Sequence, residues 1–172
     1  AKSLRSGDMK AVHVPSLKTL EDRGLVRTRG TLVKDLSRNK NRIKSFLYFH
    51  GIEMPEAFKN SATHWSRRFM TWLKSIELTE SSAKRSLALI IDESQHLRLV
   101  ILNATQEIRN LSQSEQYVSK VNLLRTIPGI GALTAMIILT EIEMINRFSN
   151  FDQLCSFIGL IPSTNSSGEK DV

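Results

Sequence analysis

Two glycines flank one apolar residue in the segment Ile127-Pro128-Gly129-Ile130-Gly131, and a helix-forming run follows at once. Gly129 and Gly131 permit positive φ and close approach of the backbone to a ligand. Free amides at the start of the following helix can then point at a phosphate oxygen, while Ile130 anchors the turn in the core. Such a contact holds a nucleic-acid backbone without reading bases. The alternative is a plain tight turn between packed helices.

A second set of candidate residues is basic and recurs at spacings near four and seven. Its members are Arg23, Arg27, Lys34, Arg38 and Arg42. On a helix they would line one side of the rod, and each phosphate that they neutralise would make binding salt-dependent. Arg29, Lys40 and Lys44 widen this patch. A solvated helix face is the alternative reading.

The positive charge is concentrated in the first part of the chain. Residues 1–50 hold 12 Lys and Arg against 4 Asp and Glu, whereas residues 51–172 hold 12 against 13, within a total net charge of +7. A charge that served only solubility would be spread over the whole chain. The concentration therefore favours a polyanionic partner such as nucleic acid.

Composition excludes several classes of protein. The chain has 172 residues, and none of its apolar runs approaches the roughly 20 residues that cross a bilayer. We therefore expect no membrane partner. Cys155 is the single cysteine, so neither an intrachain disulfide nor a thiolate zinc site can form, and a cytoplasmic setting is expected. His13, His50, His64 and His96 show no metal-ligand spacing.

Two long helices are expected to position the basic residues. Ser16 can cap a helix that runs over 16–49 and stops at Gly51, with Gly24 and Gly30 as places for a bend. Thr79 is expected to cap a second helix. Its apolar seam occupies positions 87, 90, 94, 97, 101, 104, 108 and 111, which only Ser94 interrupts. The first helix offers a matching stripe at 25, 32, 36, 43 and 46. The seams could meet within one chain, as an antiparallel coiled-coil arm, or between two chains.

Shorter elements complete an all-α fold. Residues 2–6 could end a helix at Gly7, and residues 8–15 read as an extended connector. A loop over 51–63 precedes a short helix over 65–73. After residue 113, helices are predicted over 118–126 and 132–145, and a third is capped by Ser149 or Asn150 and ends at Gly159.

Several motifs in fixed order resemble a known family. The hairpin of 127–131, which itself resembles a helix-hairpin-helix, is followed by Phe148–Leu154, by Gly159-Leu160-Ile161-Pro162 and by Ser167-Gly168. Upstream, Val12-His13-Val14-Pro15 precedes the arginine-rich helix. This order resembles bacterial insertion-sequence transposases that carry an N-terminal DEDD, RNase H-like domain. These are the bridge-RNA-guided recombinases, and the resemblance is most specific over 1–50 and 123–168.

The resemblance implies an organisation and a chemistry. Residues 1–15 would be the end of the RNase H-like domain and a connector, 16–113 the coiled-coil and linker helices, and 114–172 part of the serine-bearing domain. Ser167 would be the nucleophile that attacks DNA, with Ser166 as the reserve choice. No cofactor is expected in this chain. Carboxylates of the N-terminal domain, absent here, would hold Mg²⁺.

The implied partners are DNA, a structured guide RNA and further copies of the chain in a dimer or larger homo-oligomer. Both ends look cut, so we expect an internal piece of a transposase that is inactive alone. One competing hypothesis is a nonenzymatic helix-hairpin-helix module that only grips DNA. Another is a purely structural coiled coil, which would show no salt-dependent binding of nucleic acid.

Overall fold

The computed structural model describes residues 13–160, 166–167 and 170–171. Six α-helices follow one another in this part of the chain: α1 (Leu17–Phe49), α2 (Arg67–Ser75), α3 (Ser81–Ser112), α4 (Val118–Arg125), α5 (Ala132–Ile142) and α6 (Phe151–Ile158). Short 3₁₀ turns span Glu56–Phe58, Ser61–Thr63 and Ile145–Arg147. The predicted all-α class is confirmed. The helix end predicted at residues 2–6 and most of the connector lie outside the described residues.

Two short strands follow the helices near the C-terminal end of the chain. Strands β1 (Ser166–Ser167) and β2 (Lys170–Asp171) pair antiparallel, with Ser166 opposite Asp171 and Ser167 opposite Lys170. Two-residue strands produce no alternating apolar pattern, because neither face is long enough to be buried. The sequence analysis therefore did not predict them.

Helix α1 forms as its sequence predicts. The Ser16 hydroxyl accepts a hydrogen bond from the Thr19 amide at 3.2 Å, and the chain leaves the helix at Gly51 with φ +64°. Gly24 and Gly30 lie inside the continuous helix, with no atom within 4 Å of the position that a Cβ would take. The 33 residues make a rod of about 50 Å.

Helices α1 and α3 pair side by side within one chain. Asn39 Nδ2 donates to Glu93 Oε2 at 2.6 Å, and Arg29 Nε donates to Thr105 Oγ1 at 2.8 Å. The residue earlier in α1 contacts the residue later in α3, so the two helices are antiparallel. Every position of the predicted α3 seam is buried or half-buried. Of the two alternatives left open, the seams therefore meet within the chain, and the number of copies stays a prediction.

Two clusters of buried side chains lie at opposite ends of this helical arm. One joins α1, α2 and the start of α3, and its residues are Ile43, Leu47, Phe58, Phe69, Met70, Leu73, Leu87 and Ile91. The other joins the arm to α4 and α5, and its residues are Val26, Ile108, Tyr117, Val121, Ala135 and Met136. The second cluster fixes the hairpin against the arm. Burial of apolar side chains supplies most of this stabilisation.

Four predicted helix ends were wrong by two residues or more, or had the wrong cap. Helix α2 begins at Arg67 under a Ser66 cap, not at residue 65, and ends at Ser75, not at residue 73. Glu80 rather than Thr79 precedes α3, and it makes no capping hydrogen bond. Helix α5 ends at Ile142 instead of 145, where Glu143 takes φ +61° and the backbone leaves the helix. Glu143 contacts residues 13–16, which are distant in sequence, so the local sequence carries no signal for this end. The Asn150 cap and the Gly159 stop of α6 are confirmed.

Within the described ranges, no helix combines the length and the apolar character that a membrane span requires.

Candidate nucleic-acid interface

The glycine-containing turn joins α4 to α5 as a compact hairpin. Gly129 has φ +89°, which is the left-handed region that glycine favours, whereas Gly131 has φ −88° and immediately precedes α5. The Ile130 amide donates to the Ile127 carbonyl at 3.1 Å, and the Ile130 side chain packs on the second core cluster. Positive φ is therefore needed at one of the two predicted glycines. Both glycines are exposed.

The first turn of α5 has polar groups to offer. Gly131 takes the cap position but has no side chain, so no capping hydrogen bond satisfies the amides that follow. The helix dipole adds positive potential at the same place. A helix start of this kind favours an anion such as a phosphate oxygen.

A groove of about 620 Å³ opens at this helix start, and three arginines line it. Arg29 comes from α1, Arg109 from the last turn of α3 and Arg125 from the last turn of α4. The residues 131–133 form the wall next to the amides. The remaining lining residues are Thr105, Gln106, Asn110, Ser112 and Gln113. Among the residues that line this groove in the described structure there is no carboxylate.

Each groove arginine is placed by its helix. Arg29 is half-buried, and its Nε–H is committed to Thr105 Oγ1, which itself donates to the Ile101 carbonyl at 2.7 Å. Its two terminal nitrogens keep their donors for other partners. Arg109 and Arg125 are exposed. A guanidinium presents a planar fork of donors that matches a phosphate group, so the groove is built to attract one.

Two of the predicted basic residues pack against the end of α5. Arg23 Nε donates to the Thr140 carbonyl, and Arg27 makes a bidentate contact with Glu141, at 2.7 Å from Nε and 2.8 Å from Nη2. The hydrogen bond and charge of Glu141 raise the pKa of Arg27. The same hydrogen bond lowers the pKa of Glu141. These arginines hold α5 against α1.

The other predicted basic residues lie further along α1. Arg38 donates to Asp35 at 2.9 Å, and Arg42 lies 3.5 Å from Glu93. Lys34 is exposed. Since Arg23 Nε also lies 3.6 Å from Glu141 Oε2, four of the five predicted cations contact a carboxylate. Their role as phosphate ligands stays a prediction, and each of the four would have to exchange that carboxylate for a phosphate.

The start of the described chain is tied to the end of α5 by one carboxylate. Glu143 accepts a hydrogen bond from the Ser16 amide at 3.0 Å, and its other oxygen lies 2.7 Å from His13 Nε2. The Ser16 amide first, and then His13, lower the pKa of Glu143 to about 2. Glu143 itself has φ +61°, a conformation that a non-glycine residue keeps only when its surroundings impose it. This clamp fixes residues 13–16 beside the hairpin unit.

The predicted nucleophile, Ser167, lies in β1, and the reserve choice, Ser166, precedes it in the same strand. Gly168, the motif residue that follows, is outside the described residues. No three His, Cys, Asp or Glu side chains come together in the ranges that the structure describes. The role of the two serines stays a prediction.

Sequence reasoning missed Arg109 and Arg125 and counted Arg29 only as a widening of a patch. These residues come from three helices and share no local spacing. A local signal exists for Arg125 alone, which lies two residues before Ile127, at the entrance to the glycine turn.

The known proteins that the chain resembles are described as transposases. Residues 121–172 match the family described as Transposase IS116/IS110/IS902. The chain is 28% identical to the transposase for insertion sequence element IS1111A of Coxiella burnetii, over 100% of this chain and 46% of that protein. It is 25% identical to the putative transposase y4qE of Sinorhizobium fredii, over 98% of this chain and 39% of that protein.

A third relative, the transposase for insertion sequence element IS1533 of Leptospira borgpetersenii, is 26% identical over 74% of this chain and 36% of that protein. The chain thus spans less than half the length of each of these relatives. No solved structure matches the chain significantly.

Proposed function

We propose that this chain is the part of a DNA transposase that holds nucleic acid, with a phosphodiester backbone bound in the groove at the hairpin. The observation that carries the proposal is the set of three arginines, with no carboxylate among the lining residues, around the uncapped start of α5. Arg125 and residues 131–133 also lie within the segment that is similar to the transposase family.

The chemistry of the groove fits the backbone of DNA better than its bases. Guanidinium groups and helix-start amides recognise phosphate oxygens, which are the same at every nucleotide. We therefore expect binding with little sequence preference. The choice of target would come from elsewhere, and a structured guide RNA is the proposed source.

The proposal is tested by the salt dependence of DNA binding. Each neutralised phosphate contributes about −0.9 to the slope of log K against log salt on duplex DNA. Arg109→Gln with Arg125→Gln should therefore make the slope shallower by about 2 and weaken binding at low salt. The matched control is Lys84→Gln with Arg85→Gln, two exposed residues at the other end of α3.

Two outcomes contradict the proposal. Absence of DNA binding by the chain at low salt would remove it altogether. The groove would be removed as the binding site if the Arg109 and Arg125 variant left the slope unchanged, or if the control made the slope shallower by the same amount.

We further propose that Ser167 is the nucleophile of the whole protein. Its hydroxyl oxygen would form a bond to phosphorus while the bond from phosphorus to one ester oxygen of the DNA breaks, and the serine proton would end on that leaving oxygen, so one strand end is joined to the protein. The described residues assemble no metal site, so any Mg²⁺ would be held by residues outside them. Support comes from the order of motifs that ends at Ser167-Gly168 and from the family match over 121–172.

Substitution in the whole protein separates the candidates. Ser167→Ala should abolish strand transfer and leave salt-dependent DNA binding unchanged, because the substitution removes no positive charge. If Ser166→Ala were the inactive variant instead, the register of the motif would move by one residue. Strand transfer by both variants would remove the serine mechanism for this protein.

A homo-oligomer is the remaining proposed partnership. The α3 seam is covered by α1 of the same chain, so contact between copies would use another surface. Sedimentation of the chain tests this, and a strict monomer at high concentration would contradict it.

A further inference from the structure

The groove lies at one end of a longer row of cations along the arm. Arg29 and Lys40 are eleven residues apart on α1, and Arg98 and Arg109 are eleven residues apart on α3. Eleven residues make just over three helical turns and about 16 Å, so each pair shares one face of its helix. Arg29 and Arg109 line the groove, and Lys40 and Arg98 lie one such step away.

The distant pair of cations meets at Trp65. Lys40 Nζ lies 5.3 Å from the centre of the Trp65 ring, and Arg98 Nη1 donates to the Trp65 carbonyl at 3.1 Å. Lys44, exposed, follows Lys40 by one turn. Trp65 has φ +65°, which a bulky residue keeps only where its neighbours hold it. An aromatic ring in contact with one cation, with two more cations close to that one, is a surface suited to a polyanion.

In the part of the chain that the structure describes, no ion pair joins a carboxylate to Arg29, Lys40, Lys44 or Arg98. Between Arg29 and Lys44 the one acidic residue is Asp35, which is turned well away from that face and contacts Arg38. Between Arg98 and Arg109 the one acidic residue is Glu107, about half a turn away from both. Burial, followed by the charges of Arg98 and Lys44, lowers the pKa of Lys40. Like charges thus lie close together along this face.

The predicted basic face of α1 differs in this respect. Arg38 lies nine residues from Arg29, which is half a turn round the helix, and its charge is compensated by Asp35. Arg42 and Glu93 compensate each other on that side of the arm as well. An anionic partner gains more where no carboxylate must be displaced.

We infer that the cationic flank binds duplex DNA along the length of the arm. The flank consists of Arg125, Arg109, Arg29, Arg98, Lys40 and Lys44. A double helix whose phosphate enters the hairpin groove would continue past Trp65, and the inference rests on the proposed function of the groove.

The spacing suits a double helix. About 16 Å of helical arm corresponds to about five base-pair steps of duplex DNA at about 3.4 Å each. A rigid duplex can meet both ends of a rigid flank at once, whereas a flexible single strand gains no advantage from the fixed distance.

The experiment measures binding of the full chain to a 14-base-pair DNA duplex at several salt concentrations. The variant is Lys40→Gln with Lys44→Gln, and the control is Lys84→Gln with Arg85→Gln, which removes the same charge. The flank variant should make the slope of log K against log salt shallower by about 2, and the control should leave it unchanged. Arg98→Gln provides a second variant, with an expected change of about 1, and thermal melting verifies the fold of each.

The outcomes separate this inference from the proposed function. If Arg109→Gln with Arg125→Gln makes the slope shallower and neither flank variant does, the inference is overturned and the groove stays the proposed binding site. If none of these variants makes the slope shallower, the inference and the proposed function both fail. If Lys34→Gln with Arg38→Gln made the slope shallower by more than Lys40→Gln with Lys44→Gln does, the DNA would lie on the opposite face and the inference would be overturned. The same effects on a 14-base-pair RNA duplex but not on DNA would overturn DNA as the partner.

Discussion

Ser94 interrupts the apolar seam of α3 at a position where the structure leaves its hydroxyl without a partner. The residue is 0% exposed, and within the described part of the chain Ser94 Oγ makes no hydrogen bond. Asn39 of α1 is equally buried, and its Oδ1 also has no partner there, although its Nδ2 donates to Glu93. We predict that Ser94→Ala stabilises the protein.

The size of the effect follows from two contributions. A buried hydroxyl without a partner costs about 1–3 kcal/mol relative to a shape that lacks it. Alanine also exceeds serine in helix propensity by about 0.5 kcal/mol. The substitution of Ser94 also leaves a small cavity, whose cost offsets part of this gain, so a rise in the free energy of unfolding of about 1–2 kcal/mol is expected. For a chain of this size that raises Tm by about 3–6 °C.

Urea unfolding followed by circular dichroism measures the change. Ser86→Ala is the matched control, because Ser86 is exposed on the same helix and gains only the helix propensity. If Ser94→Ala gains no more than Ser86→Ala, or destabilises the protein, the Ser94 hydroxyl has a partner in solution. The reasoning from an unpaired buried group would then be refuted.

Four further substitutions test other parts of the structure. The pKa of Glu143, lowered to about 2, contributes stability above pH 4.5 that is lost as the pH falls toward 2, so Glu143→Gln should flatten the dependence of Tm on pH in that interval. Gly129→Ala should cost about 1–2 kcal/mol in urea unfolding because of its positive φ, whereas Gly131→Ala should cost nothing. Tyr117→Phe should cost about 1.5 kcal/mol by the same measurement, because the hydroxyl donates to Asp22 at 2.7 Å.

Local patterns were sufficient to predict the helical framework. The Ser16 cap, the stop at Gly51 and the α3 seam are properties of short stretches, and hydrophobic spacing at three and four residues reports a buried helix face directly. The seam did not reveal whether its partner was in the same chain. That depends on how the loop before α2 turns the chain back.

The candidate site could be predicted only in part. The glycine turn is local and was visible, but the groove gathers Arg29, Arg109 and Arg125 from three helices. The basic face of α1 was visible as charge, yet its carboxylate partners include Glu141 and Glu93 from other helices. A single helix shows which residues are basic. Only the packing of the helices shows which of these residues pair with a carboxylate and which remain available to a ligand.

The most direct test of the account is to follow the backbone amides by NMR while duplex DNA is added. The amides of residues 131–133 at the start of α5 should shift progressively and saturate with the DNA. Those of Leu17 and Lys18 at the start of α1, where Ser16 provides a side-chain cap, should not shift. Binding of the DNA with no shift at 131–133 would contradict the claim that the hairpin groove holds the phosphate backbone.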